Sequence, residues 1–91
     1  MNFEDRIAAL IKRLERLIRA ERGEDFSLLA AGEIESEIVT LFPEDEKLQE
    51  YADLLAQYRP GGGEYLYSET EIRPSMIECR DALRRLLQKE R

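Results

Sequence analysis

The sequence has no histidine and no tryptophan, a single cysteine and three prolines. Without histidine, the usual proton carrier near neutral pH and the commonest nitrogen ligand for metals are both missing. That excludes Ser-His-Asp and Cys-His nucleophile systems and most zinc sites. Cys79, being alone, cannot close an intrachain disulfide. Bases are the minority charge, 14 Lys plus Arg against 20 Asp plus Glu, for a net −6. A duplex nucleic acid rewards the neutralisation of its phosphates, so no direct nucleic-acid ligand is expected. Apolar runs such as Ile7–Ile11 are far shorter than the ~20 residues of a membrane-spanning helix, and no membrane partner is expected. Glu4 and Asp5 stand where a secretory leader would carry bases and an apolar stretch, which points to a cytoplasmic protein.

What is present suits one small soluble domain, residues 1–91, with 43% hydrophobic and 37% charged residues. Phe3, Ile7, Leu10, Ile11, Leu14, Leu17 and Ile18 fall on one stripe of a 3.6-residue helix. Asn2 suits its N-cap and Gly23 its stop, predicting a first helix from about Phe3 to Arg22. A second helical region has Asp25 or Ser27 as its cap, carries Ile34, Ile38, Leu41 and Phe42, and ends at Pro43. Gly32 costs about 1 kcal/mol inside a helix, which leaves two readings open, one helical region from the cap onward or a short separate turn over Phe26–Ala31 with the main helix from near Glu33. Pro43, Glu44, Asp45 and Glu46 read as the start of a third helix with Leu48, Tyr51, Ala52, Leu55 and Tyr58 on its apolar face.

Pro60 with Gly61, Gly62 and Gly63 then breaks the chain and predicts a flexible turn that lets Glu64, Tyr65 and Tyr67 stand away from the helices. Tyr65, Leu66 and Tyr67 read as a brief extended stretch, placing both tyrosines on one side and Leu66 on the other. Ser68 and Glu71 have the spacing of a capping box, but Pro74 would sit inside the helix they open. A turn followed by a helix from about Arg73 fits equally well. Its stripe is Ile72, Met76, Cys79, Leu83, Leu86 and Leu87. The expected fold class is all-α, an antiparallel bundle of about four short helices.

Charge is unevenly spread. Residues 1–22 carry +2, residues 23–72 carry −11 and residues 73–91 carry +3. Such a middle segment is either balanced by its basic neighbours or offers an acidic surface, built from Glu33, Glu35, Glu37, Glu44, Asp45 and Glu46, that steers a basic partner. Glu33 and Glu37 share a helix face; Glu35 does not. Paired carboxylates without a cleft do not make a hydrolase, and the acids at Glu44–Glu46 lack the spacing of a calcium loop. The Gly61–Gly63 run lacks the Lys-Ser/Thr pair of a phosphate loop. No catalytic residue, cofactor or metal is expected. Cys79 on its apolar stripe reads as a buried structural thiol.

Three stretches carry a resemblance: Glu33-Ile34-Glu35-Ser36-Glu37-Ile38, then Leu54-Leu55-Ala56-Gln57-Tyr58-Arg59-Pro60, then Glu64-Tyr65-Leu66-Tyr67-Ser68 running into a helix with Leu83, Leu86 and Leu87. In that order they resemble the small bacterial immunity proteins of the colicin D type over roughly residues 25 to 90. The glycine run and the Arg-rich first helix depart from the family's pattern. The resemblance implies an acidic helical protein that neutralises a tRNA-cleaving toxin by occupying its basic cleft. It implies that Glu33, Glu37, Glu64, Glu69 and Glu71 meet basic residues of the toxin, with Tyr65 or Tyr67 as an apolar anchor. The expectation is thus a non-enzymatic toxin inhibitor with a basic protein partner, a nuclease toxin being the first candidate. The alternative is a self-associating structural or adaptor module, a homodimer that completes a bundle through an apolar helix face.

Overall fold

The computed structural model describes residues 2–19 and 28–90. Four helices make up the fold: α1 (Phe3–Arg19), α2 (Leu28–Leu41), α3 (Glu46–Ala56) and α4 (Glu69–Glu90). α1 packs on α2 and α4, and α3 packs on α2 and α4, so the helices form a ring around one core. The Phe3 and Phe42 rings meet edge to face with centroids 5.6 Å apart, while Arg13 reaches Glu33 further along, so α1 and α2 run antiparallel. A short link reverses the chain between α2 and α3. Tyr51 reaches Glu78 and Tyr58 reaches Glu69, so α3 and α4 are antiparallel as well. The all-α bundle expected from periodicity is the one observed.

The core follows the stripes. Ile7, Leu10, Ile11, Leu14 and Leu17 of α1 meet Ala31, Ile34 and Ile38 of α2, Leu48, Tyr51, Ala52 and Leu55 of α3, and Ile72, Met76, Cys79 and Leu83 of α4, all buried. Burial of each large apolar side chain contributes about 1.5–3 kcal/mol before entropy is charged against it, and this holds helices of such modest length together. Phe3 is half exposed, and Leu41, Phe42, Leu86 and Leu87 line the margin of the core.

Local signals set most helix ends. The Asn2 side-chain oxygen accepts the Asp5 N–H at 2.8 Å, as a cap should. The expected extension to Arg22, the Gly23 stop and the Asp25 or Ser27 cap lie outside the described residues. The structure decides the open boundary in α2 and corrects the start of α3. α2 runs unbroken from Leu28 through Gly32, because Ala31 and Ile34 are buried on either side and packing outweighs the glycine's cost. Pro43 does not open α3: Pro43 and Glu44 form a turn, and Asp45 caps the helix by accepting the Leu48 N–H at 3.0 Å.

α4 also begins earlier than Arg73. Ser68 and Glu71 form the reciprocal capping box, Ser68 N–H donating to the Glu71 carboxylate at 3.0 Å and Glu71 N–H to the Ser68 hydroxyl at 3.3 Å. The helix therefore starts at Glu69 and continues through Pro74. Proline leaves the Thr70 carbonyl without its usual donor, but both residues are exposed and water can serve it.

Candidate functional site

The residues between α3 and α4 form a tied loop, not a free one. Arg59 N–H donates to the Tyr67 carbonyl at 2.9 Å and Tyr67 N–H to the Gln57 carbonyl at 3.0 Å, a one-residue parallel bridge. Gly62 N–H closes on the Arg59 carbonyl at 2.8 Å. From α4 the Glu69 carboxylate reaches into the loop, accepting the Gly61 N–H at 3.2 Å and the Tyr58 hydroxyl at 3.4 Å. Gly61 and Gly62 have φ of 79° and 75°, the left-handed region that glycine enters without strain, and this is what the glycine run supplies.

The extended reading of Tyr65–Tyr67 is corrected by this loop. Leu66 N–H donates to the Gly63 carbonyl at 3.1 Å, closing a turn with Glu64 and Tyr65 at its corner. Tyr65 has φ of 64°, so the chain bends there and the two tyrosines part. Tyr67 packs half-buried against the core, whereas Tyr65 is 89% exposed. Nor do the three residues stand away together: Glu64 and Tyr65 project, and Tyr67 covers the core.

The expected partner-binding carboxylates fall into two groups at different places. On α2, Glu37 meets Arg6 of α1 at 3.0 Å and Glu33 meets Arg13 at 3.9 Å. The four-residue spacing puts them on a common face, and the two ion pairs turn that face toward α1. Glu64, Glu69 and Glu71 sit at the α3–α4 loop, where Glu69 ties the loop and Glu71 caps α4. Of the seven expected residues, only Glu64 and Tyr65 are exposed without a side-chain partner among the described residues.

Other acids are freer than these. Glu44, Glu46 and Asp53 are exposed and their carboxylates hold no ion pair among the described residues. Glu46, Glu50 and Asp53 are spaced i, i+4 and i+7 and share the outer face of α3, with Lys47 reaching Glu50 at 3.4 Å. The same spacing, readable in the sequence, could have marked Asp53. Leu28 and Leu29, 58% and 74% exposed, line an open crevice of about 540 Å³ with Arg13, Gly32, Glu33 and Ser36.

The groups displaced furthest from their ordinary pKa are core groups. Burial, reinforced by the Glu69 charge and hydrogen bond, pushes the Tyr58 hydroxyl up to about 12. Burial, with a smaller effect of the Asp45 charge, pushes the Cys79 thiol up to about 12. A thiol so placed is neither ionised nor reachable, in keeping with a structural role. Among the described residues no His, Cys, Asp or Glu cluster has the arrangement to hold a metal, and no helix is long and apolar enough to cross a membrane. The chain matches no protein-family model, no curated protein and no solved structure.

Proposed function

We propose that this protein is an inhibitor of the immunity type, which binds a basic partner protein through its acidic side and neutralises it. The observation that carries the reading is the exposed acid on α3 and the turn before it. Glu44, Glu46 and Asp53 project without internal partners from a segment of net −11. Charges left unpaired at a surface repel one another and weaken the fold slightly, while they raise the rate at which an oppositely charged partner arrives. The Arg6–Glu37 and Arg13–Glu33 pairs make α2 the more neutralised helix, so α3 and the Glu64–Tyr65 turn are the leading contact residues. Glu33, Glu37, Glu69 and Glu71 would act beside them, at the cost of their internal partners. The resemblance to colicin D-type immunity proteins makes a bacterial nuclease toxin the first partner to test.

The test is a pull-down at low and high salt, followed by a nuclease assay of the purified capture with and without this protein. A basic enzyme that is released by salt and inhibited on rebinding supports the reading. Replacing Glu44, Glu46 and Asp53 together by lysine should slow association, and unchanged binding removes them from the site. A second reading, self-association, draws on the exposed Leu28, Leu29 and Val39 of α2. It requires a dimer in light scattering that persists or tightens as salt rises.

A further inference from the structure

Tyr65 is set in a way that the fold does not need. An L-residue in the left-handed region costs about 1–2 kcal/mol, and Tyr65, with φ of 64°, occupies it at a turn corner where glycine would fit without strain. Nothing in the described structure offsets that cost: the side chain is 89% exposed and makes no hydrogen bond, ring contact or charge contact with another described residue. The turn that carries it is nevertheless fixed, by the Leu66–Gly63 hydrogen bond above it and by the Tyr67 bridge and Glu69 ties at its base. A strained, solvent-facing aromatic on a fixed platform is arranged for a contact outside the chain.

The surroundings identify the chemistry of that contact. Glu64, beside Tyr65 at the corner, is exposed and has no partner among the described residues. Glu69 and Glu71 stand at the loop's base, and Arg59 is the loop's one base. No other large apolar side chain between Gln57 and Ser68 is exposed, so the ring is not part of a patch that would match an apolar socket. A cation suits an isolated ring whose neighbour along the turn is an exposed carboxylate. Arginine suits it better than lysine, because the planar guanidinium stacks on the ring face while its outer N–H groups fork onto a carboxylate.

We propose that Tyr65 and Glu64 together receive an arginine side chain of the partner, the ring taking the guanidinium face and Glu64 its N–H edge. The assignment rests on the proposed basic partner and names the residue of that partner which the turn selects.

The experiment is a titration of the full chain with octa-arginine and octa-lysine peptides at low salt, read by calorimetry and by the NMR shifts of the Tyr65 ring protons. Octa-arginine should bind more tightly and shift the ring protons upfield. Tyr65→Gly, which relieves strain and therefore folds at least as well, should narrow the arginine preference by about two- to five-fold, the range of an exposed cation–π contact. Tyr65→Phe should keep the preference, and Glu64→Gln should reduce it. Equal affinity for the two peptides, or a preference unchanged in Tyr65→Gly, overturns the assignment and leaves the acidic-surface reading standing. Binding of neither peptide overturns both.

Discussion

Glu69, the first residue of α4, accepts both the Tyr58 hydroxyl and the Gly61 N–H, so one carboxylate joins the end of α3, the glycine turn and the start of α4. It adds a side-chain tie to the backbone bridge between Gln57, Arg59 and Tyr67. Glu69→Ala should cost about 1–3 kcal/mol, the range for leaving a partly buried donor without its acceptor. The loss should be local. Hydrogen exchange at the Gly61, Gly62 and Tyr67 amides should accelerate well before that of the α1 core, and unchanged protection there would show that the loop is held by its backbone bridge alone.

Alkaline pH tests the burial of Tyr58 and Cys79. Both have folded pKa values of about 12, above their ordinary 10.0 and 9.0, and burial raises Tyr51 as well. A raised acid holds its proton more tightly in the folded chain. Its contribution to stability is complete below the unfolded pKa and is lost as pH rises toward the folded one. Urea unfolding should therefore show stability level near pH 7–8, falling from about pH 9 for the thiol and about pH 10 for the phenols. Tyr58→Phe should fall less steeply than the parent between about pH 10 and 12. Equal slopes would mean that the hydroxyl is not desolvated as described.

The stripes made the bundle legible, because residues such as Leu10, Ile34, Leu55 and Met76 had no alternative burial that kept a 3.6-residue period. Capping chemistry was legible too at Asn2 and Ser68, where a side chain of the right length sat at the right offset. Three features were not. Gly32 and Pro74 each oppose a helix locally, and packing around Ala31, Ile34 and Ile72, with the Ser68–Glu71 cap for α4, decides that the helix continues. The order in the glycine loop depends on Glu69, whose reach to Gly61 spans a turn that no periodicity describes. The role of the carboxylates was the least legible. A run of acids is the same in sequence whether its members face arginines across a groove, as Glu37 does, or face water, as Asp53 does.

The two ion pairs between α1 and α2 should differ in strength. Arg6 and Glu37 are 3.0 Å apart, with side chains 38% and 27% exposed, and an Arg6 Nε–H adds a hydrogen bond to the same oxygen at 3.1 Å. Arg13 and Glu33 are 3.9 Å apart and about half exposed. Double-mutant cycles with alanine should give about 0.5–1 kcal/mol of coupling for the first pair, decreasing with salt, and about zero for the second. Comparable coupling for both would imply that the Arg13 side chain settles closer to Glu33 in solution.

The two helix-opposing residues should be improvable for the same reason that they were misleading. A Cβ added at Gly32 would meet no atom within 4 Å, so Gly32→Ala gains helix propensity and loses unfolded-state entropy without a clash. It should stabilise the protein by about 0.5–1 kcal/mol. Pro74→Ala restores a donor to the Thr70 carbonyl and removes the ring from the α4 ladder at an exposed position. Its gain should be larger, about 1–3 kcal/mol, because proline is the worst residue for a helix interior. Part of that gain is offset by the flexibility that alanine returns to the unfolded chain. The changes lie on α2 and α4, helices whose backbones do not pack directly on each other, so their effects should add within about 0.5 kcal/mol in thermal or urea unfolding. Destabilisation by Gly32→Ala would mean that α2 is not helical at that position. Destabilisation by Pro74→Ala would mean that the ring's contacts outweigh the missing hydrogen bond.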